Sequence, residues 1–485
     1  MSTDYKTNRK KIIYKALVLT ITATIITAVI IVLKIQKSES IHPLEIPKPK
    51  NIVVINIDSL RADRMGIYGY SKDTTPFLDS LMKKGAIFEN AETPAYLTFQ
   101  SDAALFSGLY PSENNVIQWT TPINKSLTLL PSILTNYGYN TAGFVSPSLW
   151  PRFGWSTSFQ YYKMSENTKN VAFSKTDVSE YLKKGNSTFI FWHIYDAHSP
   201  YMSASSSYNS VFDDSKMEHS FIWEAQSTSS IPMHTSEKRD ATTLHQFTDD
   251  DKKYLNEAYD RGVQYVDEEL RTFFESIKNE PWYKDTMFII SSEHGDDLGE
   301  HGYFFHRDLY EVNTHVPLAI IYPPYIKPMR IATPVNTMDL MPTLVAIAQG
   351  IPPEHTSGTN IIPLINGEVL SRDIFTERPP FDEYAVRRGN WKYIMRNPAI
   401  KDGLNTYDYW MKRLITHEPI NTKDELYNLT NDPNEQNNLI GTGLSIESEL
   451  QSTLFGFRAD MRKARELNKN IPNITPQGGS LIPYP

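Results

Sequence analysis

The sequence predicts an α/β protein with a mainly parallel central sheet and helices on both of its faces. Continuous apolar runs alternate with segments whose apolar residues recur at helical spacing. The runs are Asn51–Ile57, Ser187–Tyr195, Thr286–Ser291 and Val316–Tyr322, and the helical segments are Thr75–Gly85, Tyr254–Ile277 and Met338–Ala348. Uninterrupted apolar runs are typical of strands that are covered on both faces. The 485 residues, 40% of them hydrophobic, suffice for one large domain or two.

The predicted elements carry their own start and stop signals. The segment Thr75–Gly85 has Pro76 in its first turn and ends on Gly85, as a short helix would. The segment Tyr254–Ile277 contains no proline and a single glycine, Gly262, which favours one unbroken helix. Ligands bind outside the carboxyl ends of parallel strands, so the residues that follow each apolar run are where chemistry is expected.

The composition excludes several classes of protein. The chain has no cysteine, which excludes a disulfide scaffold, a cysteine nucleophile, an iron–sulfur cluster and a zinc site built on thiolates. Its formal net charge of −8 argues against a nucleic-acid partner, which would need a basic face. The charge is uneven, because residues 1–50 carry a net +6 and the remaining residues a net −14.

The basic N-terminal part contains an apolar segment of membrane-spanning length. Ala16–Leu33 is free of charged residues, and as a helix it would be about 27 Å long. We predict a cytoplasmic basic head at 1–15, a transmembrane anchor at 16–34 and a Pro-containing linker at 35–50. Positive charge is heavier before the anchor, which predicts a single-pass protein of the cell membrane with an extracytoplasmic body. A cleaved signal peptide is the alternative.

Polar clusters follow three of the apolar runs. Asp58 follows the first, residues 196–201 (DAHSPY) follow the second and residues 292–302 (SEHGDDLGEHG) follow the third. Carboxylates together with imidazoles are ligands for a divalent metal and favour Zn or Mn over Mg. A single cluster could be a solvated loop, and Asp58 alone could be a helix cap. Three clusters after successive runs predict a functional site, and His306 lies in a fourth cluster.

Thr98 is a candidate nucleophile. It lies between a turn that contains Pro94 and an Ala- and Leu-containing stretch that ends at Gly108. We therefore expect it at the N-terminus of a helix, where the helix dipole and a bound cation would stabilise an alkoxide. The alternative is a threonine that only caps the helix.

The order of these motifs resembles that of sulfatase-like enzymes of the alkaline phosphatase superfamily. The resemblance rests on residues 56–63 (NIDSLRAD), 93–111, 198–201, 291–302, 309–318, 388–393 and 425–438. It implies the fold of that superfamily, with a sulfatase-like catalytic domain at 51–365. It also implies an α+β C-terminal subdomain at 366–470. Residues 203–250 are predicted to be an insertion or lid, and residues 471–485 a tail.

The resemblance also implies a role for each matching residue. Metal ligands are Asp58, Thr98, Glu293 and His294; catalytic residues are Thr98, His198 and His306; substrate-binding residues are His198, His306 and Arg61. The expected cofactor is a divalent cation, namely Zn, Mn or Ca. A second cation held by Asp196, His198 and His306 is an alternative.

Departures from the family pattern bear on the chemistry. Sulfatases carry a Cys or Ser, converted to formylglycine, in a C/S-x-P-x-R motif, whereas this chain has Thr98-Phe-Gln-Ser-Asp102. A formylglycine hydrate can expel sulfate by carbon–oxygen cleavage, and a Thr ester lacks that step. A phospho-Thr can be displaced at phosphorus, so a phosphoester substrate is slightly favoured over a sulfate ester. Ser59 and Glu293 also stand where the family usually has Asp.

The sequence thus predicts a membrane-anchored, metal-dependent hydrolase. Its substrate would be a phosphate or sulfate ester in a glycan, a lipid or a small molecule. One alternative is a phosphotransferase that modifies a lipid or an envelope glycan. The other is a catalytically silent protein of the same fold, which the departures at Ser59, Asp102 and Glu293 favour and the retained Thr98 opposes.

Overall fold

The computed structural model describes most of the chain between residues 46 and 468. The described residues are 46–118, 121–146, 149, 151–165, 171–199, 201, 249–301, 304–323, 325–397 and 423–468. All of them belong to the unit Ile46–Pro485, and the unit Met1–Glu45 lies outside them. The predicted head at 1–15, the anchor at 16–34, the tail at 471–485 and nearly all of the insertion at 203–250 also lie outside the described residues.

Strands of the described residues form one large sheet and three smaller ones. In chain order they are β1 (Asn51–Ile57), β2 (Ala86–Phe88), β3 (Ala91–Glu92), β4 (Asn140–Val145), β5 (Tyr161–Met164), β6 (Thr188–Ile194), β7 (Thr286–Ser291), β8 (Asp297–Leu298), β9 (Phe304–Phe305), β10 (Leu318–Ile321), β11 (Met329–Ile331), β12 (Val335–Asn336), β13 (Asp373–Arg378), β14 (Glu383–Arg388), β15 (Trp391–Met395) and β16 (Glu425–Asn428). All four predicted apolar runs are strands of the large sheet.

The large sheet is mainly parallel, as predicted. Its strand order is β11-β2-β10-β7-β1-β6-β4-β5. The neighbours from β7 to β5 run parallel, whereas β10 runs antiparallel to both β7 and β2. Because β1 lies between β6 and β7, the carboxyl ends of these three strands adjoin, although they are far apart in the sequence.

Helices cover both faces of this sheet. In chain order the α-helices of the described residues are α1 (Pro76–Met82), α2 (Thr98–Ser107), α3 (Pro111–Asn114), α4 (Leu130–Asn136), α5 (Val171–Leu182), α6 (Asp249–Ile277), α7 (Glu311–Thr314), α8 (Leu340–Ile347), α9 (Ile362–Ile365) and α10 (Ser445–Asn468). In β1, Ile52 and Val54 share a hydrophobic cluster with α2, α4 and α8, whereas Val53 and Ile55 share another with α1, α5 and α6. Successive side chains of a strand point to opposite faces, which explains the uninterrupted apolar run.

The C-terminal part forms a separate antiparallel sheet. Its strand order is β13-β14-β15-β16, with each neighbouring pair antiparallel. Leu450 and Leu454 of α10 pack in one cluster with Tyr384, Val386 and Leu426 of this sheet. The sheet and the helix therefore have the α+β arrangement predicted for this part of the chain, while the boundary at residue 366 stays a prediction.

The predicted membrane location is corrected by the structure. Among the described residues, no helix is both long enough and apolar enough to cross a membrane. The physical reason is charge: α6 has 29 residues and α10 has 24, but both carry charged residues along their length. This finding contradicts the predicted transmembrane helix and the predicted location in the cell membrane. The predicted anchor itself, residues 16–34, lies outside the described part of the chain.

Buried ion pairs join the C-terminal sheet to the rest of the protein. Arg387 in β14 pairs with Glu92 in β3 and with Glu311 in α7, and Glu92 is only 2% exposed. Arg387→Ala leaves Glu92 buried without this cation, which is costly in a medium of low polarity. We expect this variant to lower the free energy of unfolding by about 3–5 kcal/mol.

Urea unfolding, followed by tryptophan fluorescence, measures this loss. The matched control is Arg271→Ala, because Arg271 pairs with Glu268 on the exposed surface of α6. Its expected loss is at most about 0.5 kcal/mol, since exposed ion pairs contribute little. Equal, small losses in the two variants would contradict a stabilising role for the buried pairs.

Candidate active site

The candidate site lies at the carboxyl ends of β1, β6 and β7. Asp58 directly follows β1, His198 lies in the turn after β6, and Glu293 and His294 follow β7. The backbone N–H of Asp58 donates to the carbonyl of Ile194 at 2.8 Å, which continues the pairing of β1 with β6 past the strand end. The sheet therefore holds these side chains at one edge, in the crevice where parallel sheets bind ligands.

Three of the predicted metal ligands are brought together. One ligand atom each of Asp58, Glu293 and His294 lies within 4.8 Å of the other two, and all three side chains are buried. Burial raises the pKa of both carboxyls, and the neighbouring Glu293 raises the pKa of Asp58 further. The Oδ2 atom of Asp58 is buried and accepts no hydrogen bond from the described residues. A buried carboxylate oxygen without a donor fits a cation site.

Thr98 is the first residue of α2, as predicted, and it faces this group. Its Oγ1 atom lies 3.0 Å from Nε2 of His294, and the residue is 5% exposed. The N-terminal end of a helix favours negative charge, which would stabilise an alkoxide at this oxygen. The structure thus places a buried hydroxyl beside the carboxylates and the imidazole of the predicted metal site.

Three imidazoles at the site share one hydrogen-bonding pattern. In each, Nδ1 contacts an oxygen: the carbonyl of Gly295 for His294 at 3.1 Å, the carbonyl of Ser199 for His198 at 2.6 Å, and Oδ1 of Asp296 for His306 at 2.9 Å. These acceptors assign the proton of the neutral ring to Nδ1 and the lone pair to Nε2. Burial is the main cause that lowers all three pKa values, to about 3 for His306.

A second group of potential ligands differs from the predicted one. Among the described residues it comprises His294, Asp296 and His306, and does not include Asp196 or His198. Because Nε2 of His294 has one lone pair, it can bind an ion in only one of the two groups. Asp196 instead accepts the backbone N–H of Val171 at the start of α5, at 3.0 Å.

Arg61 is a buried residue that takes part in an ion network next to the site. Its guanidinium donates to Asp63, to Glu300 at 2.8 Å and to the carbonyl oxygen of Asp296 at 2.8 Å. The side chain is only 2% exposed. This arrangement favours a structural role for Arg61 over the predicted contact with substrate.

Ser59, the position where the family usually has a second Asp, contributes a hydrogen bond. Its hydroxyl donates to Oδ1 of Asp58 at 3.1 Å. The backbone of Ser59 has a φ of +62°, a left-handed conformation that residues other than glycine adopt rarely. Strain of this kind clusters at functional sites, where the surrounding structure maintains it.

Two residues that contact the site were missed in the sequence. Asn56 in β1 and His193 in β6 are register partners, and both donate to the carboxylate of Glu293. Asn56 also donates to Oδ1 of Asp102, one turn beyond Thr98 in α2. The signal for both was a polar residue inside an otherwise apolar run, since such a residue needs a buried hydrogen-bond partner.

Comparison with known proteins identifies the family. A family model described as "Sulfatase" matches residues 50–351, and one described as "N-sulphoglucosamine sulphohydrolase, C-terminal" matches residues 299–460. The chain belongs to the sulfatase family. This confirms the predicted membership of the alkaline phosphatase superfamily and the predicted class, a hydrolase of the sulfatase family. Enzymes of the sulfatase family depend on a metal ion.

Individual relatives have low sequence identity to this sulfatase-family chain, but the matched regions cover most of it. The choline-sulfatase of Rhizobium meliloti (strain 1021) is 24% identical over 71% of this chain and 78% of its own length. The ulvan-active sulfatase of Formosa agariphila is 24% identical over 92% of this chain and 86% of its own length. The phosphonate monoester hydrolase of Agrobacterium radiobacter has a solved structure with a TM-score of 0.65 at 16% identity, covering 85% of this chain and 96% of that one. The last comparison shows a shared fold.

Proposed function

We propose that this sulfatase-family protein is a metal-dependent esterase that uses Thr98 as its nucleophile. The substrate is an anionic ester of phosphate or sulfate. The proposal rests on the 3.0 Å between Oγ1 of Thr98 and Nε2 of His294, beside the buried carboxylates of Asp58 and Glu293. This arrangement combines a hydroxyl, a helix N-terminus and a cation-binding group at one point.

The proposed reaction consists of two successive displacements. A divalent cation held by Asp58, Glu293 and His294 would supply positive charge that lowers the pKa of a neighbouring hydroxyl. In the first displacement, Oγ1 of Thr98 attacks phosphorus or sulfur and the alcohol leaves in line, which gives an ester of Thr98. In the second, water displaces Thr98.

His306 is suited to the second displacement as a base. Its Nδ1 is held by Asp296, which also accepts the hydroxyl of Tyr201 at 2.6 Å, so the ring orientation is fixed and Nε2 carries the lone pair. Burial lowers the pKa of this ring, which keeps it neutral, and the negative charge of the bound ester would raise that pKa and so allow the ring to take a proton from the attacking water. The alternative role predicted for His198 and His306, contact with the oxygens of the transferred group, requires protonated rings, which an arriving anion would favour.

Some observations favour a sulfate ester as the substrate, and others favour a phosphoester. The names of the choline-sulfatase and the ulvan-active sulfatase favour a sulfate ester. Thr98 favours a phosphoester, because a Thr ester cannot break down by the carbon–oxygen cleavage that formylglycine permits. The phosphonate monoester hydrolase shows that the fold is compatible with chemistry at phosphorus. We therefore propose that the substrate is a phosphoester.

A hydrolysis panel tests this proposal. Nitrophenyl phosphate, bis-nitrophenyl phosphate and nitrophenyl sulfate would each be assayed with Zn²⁺, Mn²⁺ or Ca²⁺ and with EDTA. We expect phosphoester turnover that needs an added ion and disappears in EDTA. Turnover of nitrophenyl sulfate alone would reverse the preference for phosphorus. Full activity in EDTA would contradict metal dependence.

A further inference from the structure

Core packing alone does not explain the buried histidine near the carboxyl end of β6. His193 is fully buried between Trp192 and Ile194, and both of these neighbours belong to the hydrophobic core. Placing an imidazole in an apolar strand is unfavourable unless its nitrogens form hydrogen bonds. Side chains alternate along a strand, so His193 faces the side of the sheet that α2 covers, opposite to Trp192.

The partners of His193 connect it to the predicted metal ligands. Its Nε2 lies 3.1 Å from Oε1 of Glu293 and 3.5 Å from Oδ2 of Asp58, while its Nδ1 lies 2.9 Å from the hydroxyl of Ser146. As a metal ligand Glu293 is ionised, and an ionised carboxylate only accepts, so Nε2 of His193 carries the proton and Nδ1 accepts the Ser146 hydroxyl. These hydrogen bonds fix both the tautomer and the orientation of the ring.

We propose that His193 is a positioning residue for the divalent-ion site. It holds Oε1 of Glu293, while Asn56 donates to Oε2 at 2.9 Å, so both oxygens of this carboxylate are oriented before an ion arrives. Residues that orient a metal ligand typically affect the metal affinity about 10- to 100-fold. The inference rests on the proposed function, because it takes Glu293 as a ligand.

His193 is not itself a ligand in this arrangement. Its proton lies on the nitrogen that faces Asp58 and Glu293, and its lone pair faces Ser146 on the other side of the ring. A plain structural role remains as the rival explanation. That rival predicts a loss of stability on substitution without a change in metal affinity.

A pair of neutral, polar substitutions separates the two roles. In His193→Gln the amide nitrogen reaches the position of Nε2 and can still donate to Glu293. In His193→Asn the shorter side chain reaches only the position of Nδ1, towards Ser146. Isothermal titration calorimetry with Mn²⁺ on the whole protein is expected to show Kd raised about 10-fold or more for His193→Asn, and by less than about threefold for His193→Gln.

Ser174→Ala is the matched control, because Ser174 in α5 forms a buried hydrogen bond with the same strand, β6. The hydroxyl of Ser174 accepts the indole N–H of Trp192 at 2.8 Å, on the face opposite to His193. This variant loses one buried hydrogen bond and should have a lower Tm, with the Kd for Mn²⁺ unchanged.

Each outcome of the titrations supports or overturns the positioning role of His193. Equal Kd values for the Asn and Gln variants would overturn the positioning role, even if both have a lower Tm. Wild-type protein that binds no Mn²⁺ would instead refute the metal site of the proposed function, and this inference with it. A weakened Mn²⁺ affinity in His193→Asn that His193→Gln restores would establish the role.

Discussion

Thr98→Ala is expected to lower kcat by at least about 10³-fold while the protein stays folded. The substitution removes the oxygen that is proposed to form the ester. A neighbouring hydroxyl in the first turn of α2 is unsuited to replace it, because Ser101 donates to the carbonyl of Ala95 at 2.9 Å. The measurement is kcat on the best substrate of the hydrolysis panel, with the cation present in excess.

Thr98→Ser is the matched control, since it keeps the hydroxyl and loses only a methyl group. We expect it to retain most of the activity, and we expect a loss of about 1 kcal/mol in unfolding free energy for Thr98→Ala. Intact-mass analysis after an acid quench should detect the covalent ester in wild type and not in the Ala variant. Wild-type rates in Thr98→Ala, with Mn²⁺ bound, would refute the nucleophile.

Much of the framework could be predicted from the sequence, because the patterns involved are local. The run Asn51–Ile57 is apolar except at Asn51 and Asn56, since β1 is buried on both faces, and the four predicted strands all exist. Thr98 begins a helix because the preceding turn and the helical stretch are both local features. The polar residues after β1, β6 and β7 meet because parallel strands end at one edge.

Contacts that depend on strand register and on distant partners could not be predicted. Asn56 and His193 face each other only because β1 pairs with β6 in one particular register, across more than a hundred intervening residues. Arg61 was assigned to the substrate from its motif, yet its partners Asp63 and Glu300 occupy its guanidinium. Asp196 was an alternative ligand for a second metal, and nothing in the sequence indicated that its Oδ2 accepts the backbone N–H of Val171 at the start of α5.

Mn²⁺ is expected to raise the Tm more at pH 8 than at pH 6. Burial is the first cause that raises the pKa values of Asp58, Asp102 and Glu293, and the nearby carboxylates also raise those of Asp58 and Asp102. The folded, ion-free protein therefore holds protons that the unfolded chain releases above about pH 4. Its stability consequently falls as the pH rises from there through the raised pKa values.

A bound divalent cation offsets this loss of stability at high pH. It also competes with the protons that the buried carboxyl groups hold. Binding should therefore release protons and become tighter as the pH rises. An ion at 100 times its Kd stabilises the folded state by about 2.7 kcal/mol, which is a shift of several degrees. Differential scanning fluorimetry with Mn²⁺ or EDTA at the two pH values measures the difference. An equal Tm gain at pH 6 and pH 8 would contradict the carboxylate site.

The control is Asp58→Asn, which removes one negative charge and puts an amide group where a buried carboxylate oxygen has no hydrogen-bond donor in the described part of the chain. The new amide replaces Oδ2, which has no hydrogen-bond donor among the described residues, and it can donate towards Glu293. At pH 8 without ions this variant should be more stable than wild type, by about 1 kcal/mol, and should lose the Tm response to Mn²⁺. Higher stability without this charge would indicate that the carboxylates of the site serve to bind a cation and not to stabilise the fold. An ion-free variant less stable than wild type at pH 8 would show instead that Asp58 serves the fold.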